Sequence, residues 1–202
     1  MNRGIAVLVG AVLLAGCGGE EQIEVTPEGV IGEGVQAEEA PSEDRAVTAQ
    51  AYCDDVITWN STWASYENQV LTLVNQRRAA GATCGGVYKP PVPALTLDSR
   101  LRCAARKHSK DMALNNFFSH TGSNGWTPWQ RMTSAGYAWR TAGENIAAGQ
   151  ATPSAVVTSW MNSSGHCNGI MDPSYKHLGV GYYYRASGST YAHYWTQNFG
   201  SL

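Results

Sequence analysis

Gly143-Glu144-Asn145-Ile146-Ala147-Ala148-Gly149 is an apolar run interrupted by one carboxylate and one amide. Two later stretches share its character, Trp160-Met161-Asn162-Ser163-Ser164-Gly165-His166-Cys167 and Tyr194-Trp195-Thr196-Gln197-Asn198-Phe199-Gly200. Each sets a group that can titrate, bind a metal or donate a hydrogen bond beside aromatic or glycine packing residues. Ala142 to Ala148 reads as a short buried strand. Such a strand cannot leave Glu144 bare, because an unpaired buried charge is costly. Histidines are natural partners for it. His120 lies 24 residues upstream and His166 lies 22 downstream, so no local geometry unites them.

Working outward, a helix is expected from near Trp63 to Ala80, with Val70, Leu71 and Val74 at helical spacing and Gly81 ending it. A second helix begins near Asp98, an acid where the helix dipole favours one. Leu101, Ala104, Ala105, His108 and Met112 share its apolar face, which reads His108 as a core histidine. Thr127-Pro128 and Thr152-Pro153 each combine an N-cap with proline at the first helical position. The first of these helices should end at Gly136. His177 to Arg185 and Tyr191 to Phe199 are rich in β-branched and aromatic residues and read as a C-terminal hairpin. Helices that precede and interrupt a small, mostly antiparallel sheet make an α+β fold. About 150 residues suit one domain with one core.

The N-terminus reads as an address. Arg3 precedes the apolar run Ile5 to Leu14, too short to span a membrane and suited to a secretory signal peptide. It ends in Leu14-Ala15-Gly16-Cys17, which resembles the lipobox of bacterial lipoproteins. That resemblance implies a signal peptide over residues 1–16 and acylation of Cys17. It implies a bacterial cell envelope, with an outer membrane or cell surface favoured by Gly18. Residues 17–50 carry nine acids against one cation, Arg45, and no aromatic residue, the composition of a disordered tether. The folded unit is then residues 51–202. It holds twelve of the fourteen Lys and Arg but seven of the sixteen Asp and Glu, so it is near +5 while the chain is −2. A basic exported domain suits anionic lipids or wall polymers, and export excludes nucleic acid as a partner.

In order and spacing, with Phe118-Ser119-His120-Thr121 ahead of them, the three stretches resemble the CAP superfamily in its bacterial form. That superfamily comprises cysteine-rich secretory, antigen 5 and pathogenesis-related 1 proteins. The resemblance covers about residues 66 to 200 and implies a three-layer α-β-α sandwich. His120 matches the first histidine and Glu144 the first glutamate of a cleft tetrad known in many relatives. The second glutamate is replaced by Ser163 and the second histidine by Tyr194, while His193 falls one residue off register on the opposite face of its strand. The bacterial branch implies His166 in the cleft instead.

Four cysteines outside the lipobox suggest two disulfides, and their spacing leaves three pairings open. The resemblance implies Cys84–Cys167, which leaves Cys53–Cys103. Two imidazoles and a carboxylate, His120, His166 and Glu144, match an open site for Zn²⁺ or another divalent metal. The same trio also makes a hydrogen-bonded network without metal. Two functions follow: a binding module for a lipid, a cell-wall polymer or a protein, or a zinc-assisted hydrolase with Tyr194 steadying an oxyanion. The binding module is the preferred reading, and a metal held in the cleft is compatible with it.

Overall fold

The computed structural model describes residues 43–202. The expected signal peptide, the acylated Cys17 and most of the tether lie outside the described residues. The first described element is a helix, α1, over Glu43–Ile57. It begins inside the stretch expected to be tether, so the folded unit starts earlier than residue 51.

The α2 helix, Ser61–Ala80, is capped by Asn60, whose side chain accepts from the Thr62 and Trp63 N–H groups. A two-stranded ribbon follows, β1 (Ala82–Cys84) and β2 (Val87–Lys89). The short β3 (Thr96–Leu97) leads into α3, Ser99–Asn115. Asp98 is the α3 N-cap, accepting from the Arg100 and Leu101 N–H groups. Thr127 and Gln130 close a capping box on α4, Pro128–Ser134. The remaining elements are β4 (Thr141–Ala148), α5 (Pro153–Asn162), α6 (Ser164–Ile170), β5 (His177–Tyr184) and β6 (His193–Ser201).

The main sheet has the order β3-β5-β6-β4, with β3 parallel to β5 and the other pairs antiparallel. Strand alternation divides its side chains between two helical layers. Leu178, Val180, Tyr182, Trp195 and Phe199 pack with Val70 and Val74 of α2 and Val156, Val157 and Trp160 of α5. Ala142 packs with Leu101 and Ala104 of α3 and Met132 of α4, and Ile146 and Tyr194 with Met112. This is the expected α-β-α sandwich.

Two glycines let α3 lie close on the sheet. A Cβ at Gly179 would collide with the Leu101–Arg102 backbone, and one at Gly181 with the Ala105–Arg106 backbone. No other residue fits at that separation. One turn further along α3, the close approach puts Ser109 in hydrogen bonds with the Gly181 carbonyl at 3.0 Å and Thr196 at 2.8 Å. Beside the β5 edge, the buried Glu67 accepts from the Tyr182 N–H at 3.2 Å and pairs with Arg106 at 2.7 Å. An edge amide that could recruit another strand is thereby satisfied.

Two disulfides tie the periphery to this frame. Cys84–Cys167 joins β1 to α6, and Cys53–Cys103 joins α1 to α3. These are the pairs the resemblance implied.

Candidate functional site

Glu144 lies in β4 on the face turned towards α3 and α4, and it is 1% exposed. Its Oε1 accepts from His120 Nδ1 at 2.8 Å, and its Oε2 accepts from Arg131 Nη2 at 2.8 Å. With the Asn198 amide oriented to satisfy both its ends, that side chain donates to Oε2 at 3.0 Å and accepts from Ala105 N–H at 3.1 Å. His108 Nε2 stands 3.9 Å from Oε1. Burial alone would raise the Glu144 pKa. The Arg131 cation, His108 and the His120 hydrogen bond outweigh it and hold the carboxyl down to about 2.

An ionised carboxylate only accepts, so His120 carries a proton on Nδ1. Its side chain is 18% exposed, so this ring connects the buried cluster to solvent. His108 is different. Burial lowers its pKa to about 4, against an opposing pull from Glu144, so it is neutral at pH 7. Its Nε2 lies 2.8 Å from the Ser119 carbonyl and must carry the proton. Arg131 spans the cluster, donating to the Trp126 and His120 carbonyls, each at 2.9 Å.

His166 meets β4 through its backbone carbonyl, on the other face of the strand. Glu144 and Asn145 are neighbours on a strand and project to opposite faces. Asn145, on the far face, donates to Gln197 Oε1 at 3.2 Å and to the backbone carbonyl of His166 at 3.3 Å. The backbone of α6 therefore meets the layer opposite Glu144. Among the described residues no three His, Cys, Asp or Glu side chains are grouped to hold a metal. The expected metal set of His120, Glu144 and His166 is corrected accordingly. Glu144 has a guanidinium on one oxygen and an imidazole N–H on the other, so it does not fit a metal ligand. Tyr194 needs a correction too. It is fully buried beside Ile146 and Met112, and its hydroxyl accepts from the Tyr191 N–H at 3.3 Å. His193 bonds instead to the Tyr182 hydroxyl at 2.7 Å, away from Glu144 as its register required.

Three members of the cluster were not foreseen: Arg131, Asn198 and the polar role of His108. Their signal was present as polar side chains at inward positions of α4, β6 and α3. Chemically, the arrangement is a saturated carboxylate with one solvent-facing imidazole.

The profile of the cysteine-rich secretory protein family, CAP, matches residues 71–199. This chain belongs to the CAP family. The CAP match includes the second half of α2 and ends in β6, and it leaves α1 outside. YkwD of Bacillus subtilis is 40% identical over 139 residues, 69% of this chain and 48% of YkwD. The membrane protein YlbC of the same organism is 32% identical over 141 residues, 70% of this chain and 36% of YlbC. This CAP chain thus spans about half or less of these curated relatives. Among solved structures, an extracellular SCP-domain protein of Bacillus anthracis aligns with a TM-score of 0.58 at 28% identity, covering 72% of this chain and 45% of that one. An outer surface protein of Borrelia burgdorferi has a TM-score of 0.53 at 19% identity, covering 66% of this chain and 92% of that one, a likeness of fold. Among the described residues no helix is long and apolar enough to cross a membrane.

Proposed function

We propose that this CAP protein is an exported binding module, anchored to the bacterial envelope through an acylated Cys17, whose ligand is an anionic amphiphile seated beside α1. The observation that carries this reading is a cavity of about 540 Å³ between α1, α3 and the end of α4. Ala49, Cys53, Val56, Ile57, Cys103 and Ala135 supply an apolar lining, with Arg100, Arg102 and Arg106 beside them. Two carboxylates, Asp98 and Glu67, pair with these three guanidinium groups, which leaves one positive charge in excess. An apolar chain with a negative head matches that combination, and the volume falls within the roughly 300–1,000 Å³ of small-molecule sites.

The saturated Glu144 cluster supports binding over hydrolysis. A zinc hydrolase needs three ligand side chains and an open position, and the carboxylate is already fully engaged. The cluster holds β4, α3, α4 and the His120 loop together.

The test is titration of the intact protein with a fluorescent long-chain carboxylate and with a neutral alcohol of equal length. Saturable binding is expected, stronger for the carboxylate. Ile57→Glu, at a position 60% exposed on the rim, should weaken it about tenfold. Absence of saturable binding would overturn the proposed ligand. Zinc binding lost in both His120→Ala and His166→Ala would overturn the reading of the cluster and direct the search to hydrolysis.

A further inference from the structure

We propose that the opposite flank of α1 is a second binding site, one for an uncharged saccharide. α1 rests on α3 along its middle and leaves a recess on each side. The second recess, about 310 Å³, lies between α1, the later turns of α3 and the loop before α4.

Its chemistry is unlike that of the amphiphile cavity. Tyr52 and Trp126 form an aromatic wall, stacked with centroids 5.9 Å apart and planes 21° from parallel. Lys107 Nζ sits 4.6 Å over the Tyr52 ring. Polar groups occupy the rest of the rim in fixed positions. Asp55 bridges Lys107 at 2.8 Å and Lys110 at 2.9 Å. Asp111 accepts from Ser123 Oγ at 2.6 Å, Ser123 N–H at 2.9 Å and Asn115 Nδ2 at 2.7 Å. Asn124 accepts from the Trp126 backbone N–H at 3.0 Å, which shapes the loop that carries the indole.

Three features select the ligand class. First, donors and acceptors alternate around the recess. An ammonium offers three donors and a carboxylate about four acceptor positions, so capacity for hydroxyl groups remains on both sides. Second, the charges cancel: Lys107, Lys110 and Arg131 are matched by Asp55, Asp111 and the Glu144 that pairs with Arg131. A neutral ligand is favoured over a phosphate or a polyanion. Third, the aromatic wall offers an electron-rich face to the weakly positive C–H bonds of a pyranose. A purely polar small molecule would gain nothing from it.

Arg131 adds an independent indication. It lines the recess, is 4% exposed, and its Nε is buried without a hydrogen-bond partner. Its other nitrogens are tied to Glu144 and to the Trp126 and His120 carbonyls, so the guanidinium is a fixed part of the recess wall.

The experiment is calorimetry and tryptophan fluorescence on the intact protein in mild detergent, with chitotriose, maltotriose and cellotriose as probes. At least one should bind saturably, with a Kd of roughly millimolar or better, and binding should be insensitive to salt. Trp126→Ala should weaken it about tenfold or more. Asn115→Leu, at an exposed position on the last turn of α3, should do the same without lowering the melting temperature, which separates ligand loss from misfolding. Ile57→Glu should leave saccharide binding intact, so the two recesses are read separately. Failure of all three probes would overturn the proposal. So would unchanged affinity in both recess variants, or binding that falls steeply with added salt.

Discussion

The carboxylate of Glu144 faces His120, Arg131, Asn198 and His108. His108 is the neighbour whose pKa burial moves far from its ordinary value. Its pKa falls from 6.5 in the unfolded chain to about 4 in the fold, chiefly through burial. Between those values the unfolded state binds a proton that the folded state refuses, so stability rises with pH across that window and is lost as pH falls from 6.5 through 4. The size is about 3 kcal/mol, taking about 1.4 kcal/mol per pKa unit. Glu144 adds a second loss at lower pH, from its ordinary 4.5 towards about 2. We expect urea unfolding at a series of pH values to show the upper arm in the parent. His108→Gln, which keeps a donor for the Ser119 carbonyl but does not titrate, should flatten it. An equal slope in both proteins would assign the acid sensitivity elsewhere.

At the scale of elements, α3 and β5 define each other through Gly179 and Gly181, because their close approach leaves no room for a side chain. Gly181→Ala forces a methyl group against the Ala105–Arg106 backbone and should destabilise by roughly 1–3 kcal/mol or more. Thermal melting would register it as a lower midpoint, and an unchanged midpoint would mean that the layers have slack. The disulfides differ by their surroundings. Cys84 and Cys167 are buried at 2% and 0% exposure, whereas Cys53 is half-buried and lines the apolar cavity. Exchange requires access for the attacking thiolate. Mild reductant followed by alkylation and mass spectrometry should therefore label Cys53 and Cys103 before Cys84 and Cys167. Simultaneous labelling would show that the pairs open only with global unfolding. Helix starts were legible in the sequence because Asp98, Thr127 and Thr152 cap by local chemistry. α1 was not legible. Val47 and Ile57 are exposed, and in the described part only Val56 is fully buried, with Tyr52 and Cys53 half-buried beside it, so its apolar stripe is a single short turn. What holds it is non-local: a disulfide to α3, Asp55 between two lysines, and Tyr52 against Trp126.

For the whole molecule, sequence and structure agree where the pattern is periodic and part where two distant segments must meet. Alternation along β4 already separated Glu144 from Asn145. Which helices covered each face depended on layer packing, and that decided that His120 joins Glu144 while the α6 backbone meets the opposite layer. Charge, by contrast, was legible throughout, since it needs no geometry. Residues 18–42 carry seven acids and no cation, while residues 51–202 are near +5. In the intact chain an acidic segment tethered to a basic domain competes for the domain's cations at an effective concentration set by its own length. Deleting residues 18–42 should therefore strengthen retention on vesicles rich in anionic lipid. The difference should fade as salt shortens the Debye length from about 10 Å at 0.1 M to about 3 Å at 1 M. Vesicle sedimentation of the two chains, each carrying Cys17→Ser so that no acyl group contributes, at low and high salt measures this. Equal retention at low salt would mean that the segment and the domain do not sense each other, leaving the acidic stretch as a spacer alone.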